Sequence, residues 1–442
     1  MQILAKVGAA FQRLFGPVAE EVARKTNIIQ RQREFTPLSL AMTFVLGHLW
    51  KPRASLNDLA KVAVQAGAVV TPQAVDQRRT PKLVEFLEQL FRECVKIVVA
   101  SPQSLAPLLE RFTSVTLLDS TAIALPDSER SKFTGCGGSY RPEQAAVKLQ
   151  VELDLRSGAL THIEIEQGKS PDAATCRQHV RRGAGSLRIA DLGYFNVPVF
   201  AAMVAAAEYF LSRLQFGTGV LLPDGTPVNL LTWLPSQPRG FIDCSILLGL
   251  KDRLPCRLIA WRVPEEQANR RRQKLRDEMK RKNKRAPGEE RLAWCDWSIQ
   301  VTSVPPEMLT PTEATVLYRA RWQIELLFKR WKSYGLVAAL TGSNDVRTMV
   351  AVWSRLIACV VQHWLLVATT WSDPRLSWQK VCEAIRDFAI QIIASLKRPG
   401  RFIEVMTDLR EIVLKTCRRN KRKKIGTFEL LNDPQLLDFS LN

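Results

Sequence analysis

A change of hydrophobic period near residue 112 constrains this chain more than any other feature. Before it, apolar residues recur at helical spacing, as in Leu38 to Leu49 and Leu83 to Val99, with no strand-like alternation between them. After it, Ser114 to Leu118 and Ala146 to Leu155 are apolar or alternating runs. The turn residues Arg156-Ser157-Gly158-Ala159 then lead into a third such run, Leu160 to Glu166. A helix capped near Ser170-Pro171-Asp172-Ala173 is expected next, followed by a short strand Leu187 to Ala190, a helix from Pro198 to about Glu208, and a strand Tyr209 to Leu214. The order βββαβαβ predicts an α/β layered core.

Between Gly217 and Val304 short strands such as Gly219 to Leu222 and Arg257 to Val263 alternate with Gly and Pro turns, and a basic, helix-like stretch over 265–285 interrupts them. This segment reads as a β-rich insertion. Helical periodicity returns at Thr312 and runs through Tyr334, and further helices fill 345 to about 416 before a last basic run and a polar tail.

At 442 residues the chain is too long for one ordinary core, so about two to four domains are expected. Lys and Arg number 63 against 43 Asp and Glu, a formal charge of +20, and that excess must meet a polyanion or remain solvated. Nucleic acid is the favoured partner. The cations gather at Arg270, Arg271, Arg272, Lys274, Arg276, Lys280, Arg281, Lys282, Lys284 and Arg285, and again at Arg418, Arg419, Lys421, Arg422, Lys423 and Lys424. Solvated charged faces and phosphate-contacting faces both fit such clusters.

Nine cysteines, among them Cys94, Cys136, Cys176 and Cys417, show no CxxC pair or regular spacing, which argues against a zinc site or a disulfide framework and for a reducing cytosol. His48, His162, His179 and His363 form no ligand spacing and read as structural. The first residues, with Phe11, Leu14 and Phe15 on one face, read as an amphipathic helix rather than an export signal. Leu356 to Thr370, about fifteen residues with His363 inside, is short for a bilayer and reads as a buried helix, so no membrane segment is expected.

Within the first hundred residues, Ser55 opens a short capped helix, Gly67 turns the chain, and Thr71-Pro72 opens a second helix. This is the pattern of a helix-turn-helix, with Gln73, Gln77 and Arg78 placed to face a DNA groove. A helical hairpin that touches no DNA has the same pattern.

Asp119 ends the run Val115-Thr-Leu-Leu-Asp and Asp191 ends Leu187-Arg-Ile-Ala-Asp, so each carboxylate lies where a buried strand is expected to emerge. Ligands of open α/β sheets bind beyond the carboxyl ends of the strands. Either Asp alone reads more readily as a turn or capping residue. A third element is Tyr318-Arg-Ala-Arg-Trp-Gln-Ile-Glu-Leu-Leu-Phe-Lys-Arg-Trp-Lys, in which Tyr318, Arg321, Glu325 and Lys332 follow at spacings of 3, 4 and 7 and share one helical face. A solvated helix with Glu325 paired to Arg321 has the same periodicity.

Taken together, these three blocks resemble the DDE transposases of bacterial insertion sequences, in the group named for insertion sequence four. That group's signature, Y-x2-R-x3-E-x6-K, is met at Tyr318, Arg321, Glu325 and Lys332, and Leu118-Asp119-Ser120 and Asp191-Leu-Gly-Tyr-Phe resemble its two earlier acidic blocks. The resemblance covers about residues 112 to 336 in detail. It implies an RNase H-like core over 112–216 and 306–342, interrupted by the β-rich insertion 217–305. A helical DNA-binding domain 1–111 and a helical C-terminal region 343–442 would flank that core.

By the same resemblance Asp119, Asp191 and Glu325 are the metal ligands, for two magnesium ions with manganese as substitute. In-line attack on a phosphodiester uses one metal to activate water or a 3′ hydroxyl and another to stabilise the leaving oxygen. Hard carboxylate oxygens suit those ions. Arg321, Lys332 and Tyr318 would clamp the transposon end, and Trp297, in Trp294-Cys-Asp-Trp-Ser-Ile, would stack on a flipped base, with Trp294 competing for that role. The implied activity is cut-and-paste transposition, directly or through a hairpin, on the inverted repeats and target of double-stranded DNA. A homodimer at the bacterial nucleoid would carry it out. Two rivals share the features: a transposase relic that only binds DNA, and a metal nuclease that cuts without joining.

Overall fold

Threonine followed by proline starts four of the helices. Thr36, Thr71, Thr80 and Thr310 are N-caps whose side chains accept a backbone N–H from the first turn, and Pro37, Pro72, Pro81 and Pro311 follow at the first helical position, where no hydrogen bond is lost. The computed structural model describes residues 2–30, 34–135, 144–238, 241–334, 344–371, 373, 375–396, 398–420 and 425–437. Cys136, the basic residues Lys421, Arg422, Lys423 and Lys424, and the end of the expected core segment at 335–342 lie outside them.

The chain divides into two units. The first comprises residues 1–105, 119–170 and 323–421, and the second 106–118, 171–322 and 422–442. Ten strands run through them: β1 Val115–Ala124, β2 Ala146–Asp154, β3 Leu160–Gln167, β4 Leu187–Ala190, β5 Tyr209–Arg213, β6 Val220–Leu221, β7 Pro227–Val228, β8 Phe241–Leu248, β9 Leu254–Arg262 and β10 Trp297–Thr302. The chain leaves one unit for the other within β1.

The first unit is helical around a β3-β2-β1 edge. Its centre is the helix Asp345–Thr370, against which the helices Gln2–Arg13, Pro37–Trp50 and Pro81–Cys94 pack. At 26 residues this helix is longer than the apolar run alone suggested, and it is the one described helix apolar enough by length and composition to cross a membrane. Its apolar window is 89% buried. Trp353 and Trp364, fully buried, meet Phe91 and Phe11 at ring-centroid distances of 5.7 and 6.2 Å. At the β2–β3 turn Gly158 has φ +75°, its carbonyl accepts from His363 Nε2 at 2.7 Å, and Trp371 donates its indole N–H to the Arg156 carbonyl. The buried Glu88 pairs with Arg92 and Lys132.

In the second unit the strand order is β1-β4-β5-β10-β9-β8-β6-β7. The β1, β4 and β5 strands are parallel, with Leu118 opposite Ala190 and Ile189 opposite Leu211. From β10 onward the pairing is antiparallel. This makes a mixed α/β sheet, parallel over β1, β4 and β5 and antiparallel from β10 to β7. Phe200 stacks on Phe210 at 4.3 Å in a core that includes Leu258, Trp297 and Val301. Arg257, buried, grips Asp243 through two nitrogens and donates to the Leu309 carbonyl at 2.6 Å.

Two elements differ from expectation. No α-helix follows Ser170: the 3-10 turns Asp172–Ala174 and Cys176–His179 take its place, because Pro171 and Thr175 start two short turns and no apolar stripe runs between them. In addition, β1 does not stop at Asp119. Its buried part ends at Leu118, but alternation at Thr121 and Ile123 carries the strand to Ala124.

Candidate active site

Asp191 directly follows β4 and occupies the N-cap of the 3-10 turn Leu192–Tyr194, yet its side chain accepts no capping hydrogen bond. The usual structural duty of an Asp after a strand is therefore not performed. Its side chain is half exposed, and Arg321 Nη2 stands 3.8 Å from its Oδ1.

Arg321 keeps helical dihedrals at the end of the helix Pro311–Ala320, three residues beyond Tyr318. Its guanidinium lies 6.0 Å from the centre of the Tyr318 ring, and Arg213, at the end of β5, lies 5.9 Å from the same ring. Two cations thus share one aromatic platform beside a carboxylate. Burial pushes the Tyr318 hydroxyl above the usual phenol range, against the pull of the two guanidiniums.

The second unit therefore brings Asp191, Tyr318 and Arg321 together and adds Arg213 and Arg271, which sequence reasoning did not single out. Arg271 donates from Nη1 to the Trp297 carbonyl at 3.0 Å, and burial, with Arg213 nearby, pushes its pKa down to about 10. Arg213 carried one usable signal, its place at the carboxyl end of a parallel strand. Arg271 was lost among its basic neighbours.

In the first unit Asp119 is half-buried at the middle of β1, and its Oδ1 accepts the Ser120 N–H at 2.8 Å. Glu325, half-buried, lies in the first turn of the helix Trp322–Lys329. Lys332 lies in a π-helical turn, Arg330–Tyr334, so the straight helix implied by the 3, 4, 7 spacing is not kept to its end. Burial lowers the Lys332 pKa, a cost that an anion beside it would offset.

Gln73 and Gln77 are exposed on the six-residue helix Pro72–Gln77, whereas Arg78, half-buried, lies over the Phe35 ring at 5.5 Å. Gly67, with φ 95°, caps the helix Leu56–Ala66 that precedes them. Trp297 faces the core and is only 9% exposed, while Trp294 packs half-buried on Phe216. Trp322, unremarked in the sequence, is 52% exposed.

Asp119, Asp191 and Glu325 each carry the hard carboxylate oxygens that magnesium and manganese prefer. Among the described residues no three His, Cys, Asp or Glu side chains are grouped closely enough to hold an ion.

A family profile described as "Transposase DDE domain" matches residues 110–361, more than half of the chain. The chain belongs to the transposase DDE domain family. The matched segment contains Asp119, Asp191 and the whole Tyr318 to Lys332 motif, and the family's fold is RNase H-like. The chain is also similar over nearly its full length to two curated transposases of Bacillus thuringiensis. One, for insertion sequence element IS231F, is 24% identical, covering 93% of this chain and 91% of that protein. The other, for IS231C, is 25% identical, covering 95% and 93%. The transposase for IS1151 of Clostridium perfringens is 25% identical over 77% of this chain and 76% of its own. The protein is thus a bacterial insertion-sequence transposase of the DDE type, a class that acts on DNA and uses divalent metal.

Proposed function

We propose that this transposase cleaves strands at the ends of its insertion sequence and joins the freed 3′ hydroxyls to target DNA, with Asp119, Asp191 and Glu325 holding two magnesium or manganese ions. The observation that carries the reading is Asp191, uncommitted to capping and faced by Arg321, inside a matched segment that also contains the other two acids. When bound, the ions supply Lewis acidity to the attacking and leaving oxygens of the phosphodiester.

The chain's own groups do the rest. Arg321 and Lys332 hold phosphate oxygens of the transposon end, and Tyr318 fixes the Arg321 guanidinium by its ring. Residues 1–111 bind the inverted repeats, with Gln73 and Gln77 as base-facing candidates, and two copies act together on two ends. A base-stacking part for Trp297 requires its ring to leave the core it now fills.

The test is cleavage of a linear fragment carrying both ends of the element, in magnesium, by wild type and Glu325→Gln. The expected result is cutting and joining by wild type, with the variant binding the ends but doing neither. Binding without cleavage by wild type favours the DNA-binding relic, and cleavage without joining favours a nuclease.

A further inference from the structure

The helix Glu265–Arg281, which follows β9 in the second unit, is anchored at one half and open at the other. Ala268 is its only buried residue. Arg271 holds the Trp297 carbonyl and Arg272 holds Glu265 and Asp296, which ties the first two turns to the β10 end of the sheet. Beyond them Lys274, Arg276, Lys280 and Arg281 are exposed, as are Lys284 and Arg285 just past the helix end.

The acids of this segment are already used. Glu266 pairs with Arg270, Glu265 with Arg272 and Glu278 with Lys282, and Asp277 accepts from Gln273. Lys274, Arg276, Lys280, Arg281, Lys284 and Arg285 make no side-chain hydrogen bond or ion pair among the described residues, although Arg281 acts on Glu278 through space. A helix that is polar on all sides is ordinarily supported by such pairs or by burial, and this outer half has almost neither. These six cations outnumber the acids between them, Asp277 and Glu278, and the excess positive charge repels itself, a cost that an anionic surface removes.

Their arrangement selects the surface. At 3.6 residues per turn Arg270, Lys274 and Arg281 fall on one line, opposite Ala268 and Leu275, and span about 16 Å, close to five base pairs at about 3.4 Å each. The only large apolar residues of the helix, Leu275 and Met279, are half-buried on the anchored side. The outer face has no aromatic or aliphatic group to enter a lipid interface, and its cations, with Arg276 and Lys280 beside the line through Lys274 and Arg281, present positive charge along a length that a phosphate backbone can follow.

We propose that this arm, residues 274–285, grips the phosphate backbone of duplex DNA without reading sequence, as a surface separate from the carboxylates that cut. It rests on the DNA-acting function above. The test is the salt dependence of binding by the full chain, from 50 to 200 mM salt, on a duplex carrying a transposon end and on an unrelated duplex. Wild type is compared with a variant in which Lys274, Arg276, Lys280, Arg281, Lys284 and Arg285 are all replaced by Gln.

Each lost phosphate contact removes about 0.9 from the log–log slope, so a fall of about five is expected on both duplexes. A companion variant with Lys and Arg exchanged at the six positions keeps the charge and is expected to keep the slope, which separates charge from folding. An unchanged slope in the Gln variant overturns the proposal, as does a loss confined to one duplex or an equal loss in the exchanged variant. Wild type that binds neither duplex would instead overturn the DNA-acting function itself.

Discussion

Arg321 Nη2 stands 3.8 Å from Asp191 Oδ1. That distance is beyond a good hydrogen bond, so the attraction is Coulombic, and the half-exposed Asp191 screens it to about 1 kcal/mol or less. The pair is a weak contact that leaves each group available for the part proposed for it, Asp191 toward a metal ion and Arg321 toward phosphate.

Arg321→Gln is therefore expected to have two opposed effects. Loss of a phosphate clamp lowers single-turnover cleavage by about 10²- to 10³-fold. Removing the cation beside Asp191 lets the metal site fill at lower magnesium. A metal titration of cleavage rates checks both, and a half-saturation that rises in the variant contradicts the second.

Trp297 and Trp294 separate by stability. Trp297→Ala is expected to cost about 3–5 kcal/mol, because a core side chain is deleted. Trp294→Ala, half-buried at the edge, is expected to cost less. Urea unfolding measures the order, and equal costs would mean that Trp297 does not fill the core in solution.

Gly158→Ala is expected to destabilise by about 2–4 kcal/mol, by combining a positive φ with overpacking. The added Cβ would meet the Trp371 ring at 2.3 Å, at the same turn whose carbonyl His363 holds. A thermal melt close to wild type would show that the turn relaxes freely.

Burial holds His363 at about 4 and His48 at about 3, so both stay neutral in the folded chain down to those values. An unfolded imidazole takes its proton near 6.5. Their contribution is thus fully present above about pH 6.5 and is lost as pH falls toward 4, because only the unfolded chain gains protons in that window. The loss is about 1.4 kcal/mol per pH unit for each histidine. Urea midpoints between pH 7.5 and 5 should show the fall, and His363→Gln should reduce its slope by about one histidine's share. An unaltered slope in that variant would count against the assignment.

Much of this was readable in order along the chain. The strands that became β1 to β5 announce themselves by alternation and turn residues, and the Thr-Pro pairs mark helix starts because capping is local chemistry. The basic helix over 265–281 and the buried character of the apolar helix followed from the same rules. The expected helix after Ser170 failed because capping signals do not tell a helix from a pair of 3-10 turns when no apolar stripe follows. Asp119 looked like a strand end because burial stops at Leu118, although backbone pairing continues to Ala124.

By itself the sequence supplied the candidate residues and their order, Asp119, Asp191, then Tyr318, Arg321, Glu325 and Lys332, through their resemblance to three motif blocks of the family. Motif spacing is a property of the chain alone and can be matched to a family without knowing any spatial neighbour. Only the tertiary structure decided what each side chain touches. Asp191 caps nothing and faces Arg321, and Tyr318 is flanked by Arg213, a residue more than a hundred positions earlier in the chain. Trp297 turns inward, and a π turn shifts Lys332. Burial and long-range pairing depend on residues far apart in the chain, and no local period encodes them.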